Sequence, residues 1–137
     1  MFNNGKIIFD YPDSWNLEEA DTLNNPDCIA TLSKGEENLI NIVQFPTSAL
    51  LKEFKDIMED MISEEGGVII SSDIIKINEK NAIKLYANID TPEINFDIHT
   101  FVFIEDNEIY IFELRTVENF NTSVEEFSTL VNSFKIL

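Results

Sequence analysis

Cysteine, histidine, arginine and glycine are all scarce in this chain of 137 residues, and each scarcity removes a class of chemistry. Cys28 is alone, so no intrachain disulfide can form, and the paired-cysteine spacings of zinc knuckles and redox motifs are absent. It reads as a small half-buried side chain rather than a reactive thiol. Gly5, Gly35 and the pair Gly66-Gly67 are too dispersed to wrap backbone amides around a phosphate. His99 is the only histidine, which excludes a His-x-x-x-His metal motif. No cofactor or metal is therefore expected. Positive charge is also short: 9 basic residues against 26 acidic ones give a formal charge of −17, which repels phosphate backbones and anionic membrane surfaces. Nucleic acid is a poor partner for such a surface. No window approaches the roughly 18 apolar residues of a membrane span, and Met1 to Lys6 lacks the basic and apolar regions of a secretion leader. A cytoplasmic location is expected.

What the chain does have is a pair of long apolar runs, Phe96 to Glu105 and Glu108 to Val117, separated by Asp106-Asn107. Short polar residues that tolerate positive φ make a two-residue hairpin turn there. With Glu105 facing Glu108, Phe103 falls opposite Tyr110, Phe101 opposite Phe112 and His99 opposite Leu114. On the reverse side Ile104 meets Ile109 and Val102 meets Ile111. Both faces are apolar near the turn, so this ribbon belongs in the middle of a layered structure.

Six further extended runs precede it. Lys6 to Tyr11 ends at Pro12-Asp13-Ser14, and Trp15 restarts an extended piece through Leu17. Glu18 to Asp27 reads as loop. Cys28 to Ser33 and Leu39 to Phe45 form a hairpin across Lys34 to Asn38. Val68 to Ile77 and Ala82 to Ile89 form another, broken by Asn78 to Asn81, and the alternation of Ile83, Leu85 and Ala87 with polar residues gives it one buried face.

Two segments carry helical spacing instead. Leu50, Leu51, Phe54, Ile57, Met58, Met61 and Ile62 fall on one stripe, with Thr47 or Ser48 as the capping residue and Gly66-Gly67 as the stop. Phe120, Val124, Phe127, Leu130, Val131 and Phe134 trace a second stripe, preceded by Ser123-Val124-Glu125-Glu126, which has the spacing of a capping box. The pattern predicts one α+β domain over residues 1–137. Its architecture is an α/β/α sandwich, with a central, mostly antiparallel sheet of six to seven strands and helices on both faces.

Few residues offer chemistry. Any histidine-dependent triad must use His99 as base, with a serine or Cys28 as nucleophile, and Asp97 on the same strand face is able to orient the imidazole. Arg115, the sole arginine, lies two residues from Glu113, which points to an ion pair rather than a fork for a carboxylate or phosphate ligand. Glu59, Asp60, Glu64 and Glu65 gather at the end of the first helix, and Glu36-Glu37 in a turn; both read as solvated acidic surface. Tyr11, Pro12 and Trp15 either line a groove or pack over an end of the core.

Phe9-Asp10-Tyr11-Pro12-Asp13-Ser14-Trp15, taken with the ending Phe127-Ser128-Thr129-Leu130-Val131-Asn132-Ser133-Phe134-Lys135, resembles the PsbP-like superfamily. Its members share an entry strand leading to a Tyr-Pro-x-x-Trp turn, a middle helix, a hairpin-rich centre and a last helix ending in Ser-Phe. The resemblance implies an antiparallel sheet between helices. It also implies a protein that acts by binding, since relatives include an accessory subunit of the oxygen-evolving photosystem and a nuclear-import factor that binds the small GTPase Ran. It carries over no catalytic residue. The expectation is a small non-catalytic binding or adaptor domain that engages a protein partner. A small-ligand carrier with a groove near Trp15 and a hydrolase using His99 stand as alternatives.

Overall fold

The computed structural model describes residues 1–18, 26–117 and 121–137. Among them the apolar patterning yields ten strands and two helices: β1 (Phe2–Asn3), β2 (Ile7–Phe9), β3 (Asn16–Glu18), β4 (Cys28–Lys34), β5 (Asn38–Pro46), α1 (Leu51–Glu64), β6 (Gly67–Ile77), β7 (Lys80–Asp90), β8 (Asn95–Glu105), β9 (Glu108–Thr116), α2 (Asn121–Ser133) and β10 (Lys135–Ile136). Most of the loop expected over 18–27 lies outside the described residues, as does Phe120 at the start of the second apolar stripe.

Seven strands form one antiparallel sheet in the order β3-β4-β5-β9-β8-β7-β6. The β8–β9 hairpin sits near its middle with the register that side-chain alternation implies: Phe103 pairs with Tyr110, Phe101 with Phe112 and His99 with Leu114. Asp106 and Asn107 make the turn at φ 53° and 62°. Two successive left-handed residues are the geometry whose twist matches the flanking strands. The β6–β7 hairpin uses the same device in a place the residue types do not announce. Asn78 and Glu79 take φ 50° and 70°, so Lys80 and Asn81 belong to the strand rather than to the expected four-residue break.

The first strand departs from expectation. β2 does not join the large sheet. It pairs with β1 and β10 in a separate three-stranded sheet. The motif that opens the chain is thereby tied to the one that ends it. Ser133 Oγ accepts the Asp10 amide at 2.8 Å, and the Trp15 amide donates to the Pro12 carbonyl at 3.1 Å, closing the Tyr-Pro-x-x-Trp turn. Phe134 lies 4.9 Å from Phe112 and 5.3 Å from Phe103, ring centre to ring centre.

Both helix starts also differ from the sequence reading. Leu50 is the N-cap of α1 and no side chain caps it; Thr47 Oγ1 accepts the Ala49 amide one step earlier, at 3.1 Å. In α2, Ser123 is a buried residue inside the first turn, so the capping box does not form. The stop of α1 is as predicted, with Gly66 at φ 86°.

The buried side chains fall into two clusters. One combines Phe101, Phe103, Tyr110 and Phe112 with Phe127, Leu130 and Val131 of α2 and Ile7 and Phe9 of β2. The other combines Val102, Ile109, Ile83 and Leu85 with Ile62, Phe54 and Met58 of α1. Successive residues of β8 alternate between the two, as the period of a strand requires. Neither helix is long enough to cross a membrane.

Candidate functional site

α1 packs on the sheet without filling all the space beneath it. Leu51, Phe54, Met58 and Ile62 pack inward, but between Met58, Met61 and Ile62 on the helix and Ile98, Thr100 and Ile111 on the strands a crevice of about 140 Å³ remains. Glu65, Glu113 and Arg115 border it. Next to it the helix leaves Met61 54% and Ile57 48% exposed. The wall is therefore apolar and adaptable, since methionine fills irregular gaps, and the rim is charged.

The rim contains the ion pair the sequence suggested: Arg115 Nε donates to Glu113 Oε1, and the guanidinium also stands 5.4 Å from the centre of the Phe96 ring. Of the helix carboxylates, Glu59 pairs with Lys55 at 3.4 Å. Asp60, Glu64 and Glu65 form no ion pair among the described residues, and no basic residue lies in the last turn. Negative charge there opposes the helix dipole. No group of three or more metal-ligating side chains occurs among the described residues. Glu36 and Glu37 are exposed in the β4–β5 turn.

His99 lies on the opposite face of β8, half-buried and stacked on Tyr86 with ring centres 4.4 Å apart. Burial pushes its pKa down, Lys84 adds to that, and Asp97 works against it. Asp97 is otherwise engaged: its carboxylate accepts from Asn88 Nδ2 at 2.8 Å and from the Tyr86 hydroxyl at 3.4 Å. Burial first, and then Asp97, raise the Tyr86 pKa. Among the described residues no hydroxyl or thiol is hydrogen bonded to the imidazole, although Ser128 borders the same hollow of about 50 Å³. Cys28 is buried on β4, three strands from β8, or about 14 Å at the usual strand spacing. The fold therefore separates this thiol from the base it would need.

Trp15 does not line a groove. Its ring is 3% exposed within the core, and its indole N–H donates to Glu126 Oε2 at 3.2 Å. The same carboxylate accepts from Ser14 Oγ at 2.9 Å and from Lys34 Nζ at 2.7 Å, while Lys34 also sits 6.0 Å from the centre of the Trp15 ring. Burial alone would raise the Glu126 pKa; the bonds from Lys34, Ser14 and Trp15 outweigh it and hold the group below its ordinary value. Sequence reading assigned Glu126 to a helix cap and missed this cluster. Nothing within a few residues of it signals a partner 92 positions away.

No family model matches the sequence, and no curated protein is similar to it. Solved structures do match. The solution structure of cyanobacterial PsbP (CyanoP) from Synechocystis has a TM-score of 0.64 at 13% identity, covering 98% of this chain and 95% of that one. LpqN, involved in cell envelope biogenesis of Mycobacterium tuberculosis, has a TM-score of 0.66 at 10% identity, covering 95% and 82%. A Bacteroides thetaiotaomicron protein gives 0.66 at 12% identity, with this chain spanning 49% of its length. At such identities the likeness is one of architecture. The paired turn and helix motifs of β2 and α2 and these superpositions together give the chain a PsbP-like fold.

Proposed function

We propose that this protein is a small non-catalytic domain that engages a protein partner. The observation that carries this reading is the open crevice beneath α1, with Met61 and Ile57 exposed beside it. Large apolar side chains grouped at a cleft favour recognition over plain solvation. The sheet is read as roofed by a helix on each face. That Val102 and Ile111 gather with α1, whereas Phe101 and Phe112 gather with α2, supports this reading. Catalysis finds less support, because the imidazole of His99 stacks on Tyr86 and the carboxylate beside it is engaged by Asn88 and Tyr86.

A photo-crosslinking side chain at position 61 tests the reading in lysate of the source cells, against the same group at exposed Glu93. A discrete adduct at 61 and none at 93 is expected. Equal or absent adducts would overturn it. So would ester hydrolysis that His99→Ala abolishes.

A further inference from the structure

We infer that the crevice beneath α1 receives one aliphatic or aromatic side chain from a basic amphipathic helix of another protein. This rests on the protein-binding reading and specifies the partner. Size comes first. A volume of about 140 Å³ is close to the roughly 150 Å³ that houses one benzene ring in an apolar protein cavity, so the space suits a single anchoring side chain rather than a drug-sized ligand. Met58 and Met61 let the wall adapt to whichever anchor arrives.

Charge then selects the partner. Asp60, Glu64 and Glu65 stand in or beside the last turn of α1 with no basic residue among them; of these Glu65 borders the crevice itself, as Glu113 does from the sheet. Arg115, the one cation bordering the crevice among the described residues, is already bonded through Nε to Glu113. An anionic ligand head meets net repulsion. A cationic helix instead compensates both the carboxylates and the negative end of the α1 dipole. A second copy of this chain, carrying −17 as well, is repelled.

The three methionines, Met1, Met58 and Met61, supply the assay, because methyl labelling gives two reporters in the crevice and one far from it. The probe is an 18-residue synthetic helix of leucine and lysine; its controls are the same apolar pattern with glutamate for lysine, and hexanol. Expected are shifts of Met58 and Met61 with the lysine peptide alone and an unmoved Met1. Reversing Asp60, Glu64 and Glu65 to lysine should weaken binding at least tenfold, against threefold or less for reversal of Asp13, Glu79 and Glu93. Met61→Glu, at an exposed position, should also weaken it tenfold without altering the thermal midpoint. Shifts confined to other residues would overturn this site while leaving the protein-binding reading intact. Equal methionine shifts with hexanol or the glutamate peptide would make the crevice a small-ligand site and overturn the inference. So would a dimer that Met61→Glu dissociates. If no resonance moves with any probe, the basic helix is wrong, and the adduct at position 61 then decides the broader reading separately.

Discussion

Replacing Glu126 by alanine removes a carboxylate that three side chains from distant parts of the chain share, and its consequences can be worked out bond by bond. The Trp15 indole N–H, inside a residue only 3% exposed, loses its acceptor, and a buried donor left unpaired costs about 1–3 kcal/mol. The Lys34 side chain is 32% exposed and that of Glu126 18%, so their pair is partly screened and contributes about 1 kcal/mol. Together these give a loss of about 3 kcal/mol. With an unfolding entropy of about 2.1 cal/mol/K per residue, a chain of 137 residues should melt about 10 °C lower by circular dichroism. Glu126→Gln keeps an oxygen for Trp15 and Ser14 and loses only the charge; a drop of about 3 °C follows. The sign with pH is also fixed. Because the folded state holds Glu126 below its ordinary value of 4.5, the charge adds stability above that value and loses it as pH falls through the folded pKa. The gap between wild type and Glu126→Gln should therefore be constant at neutral pH and shrink on acidification below about 4.5. Equal melting of both variants within 2 °C of wild type, or a gap that widens in acid, would refute the reasoning.

Three more outcomes follow from single positions. His99 should titrate below 6.5 by NMR, with Asp97→Asn lowering the midpoint further and Lys84→Gln raising it. Since folding favours the neutral imidazole, stability should fall as pH drops from 6.5 toward that midpoint, a slope that His99→Gln removes. Asn107→Gly, at a φ of 62°, should be neutral or stabilising in urea unfolding. Asn107→Val should cost about 1–2 kcal/mol, because a branched side chain crowds the left-handed backbone. Gly67→Ala places a Cβ 2.5 Å from Ile62 Cγ2 and 2.9 Å from the Ile62 carbonyl oxygen, so a loss of about 1–3 kcal/mol is expected by the same measurement.

The β8–β9 register was legible in the residues because every cause of it is local. A two-residue turn of Asp106 and Asn107 fixes the pairing, and the alternation of Phe101 and Val102 fixes the faces. The stripe of α1 and its glycine stop were legible for the same reason. The capping box at Ser123 failed although its spacing was right, since the helix begins earlier and Glu126 is drawn instead to Lys34, Ser14 and Trp15. The ion pair of Glu113 and Arg115 was readable from two-residue spacing on one strand face; that it borders an apolar crevice was not, because the opposite wall belongs to α1.

By itself the sequence determined the antiparallel hairpins, the two amphipathic helices and the lack of cysteine pairs, phosphate loops and histidine clusters. These follow from backbone preferences and side-chain periodicity that act over a few residues. Only the tertiary structure decided that β2 leaves the large sheet for β10, that Trp15 is sealed by a carboxylate 111 positions away, and that a crevice remains between Met58 of α1 and Thr100 of β8. Such contacts depend on how whole layers of side chains fit together, and packing of that kind has no signature in neighbouring residues.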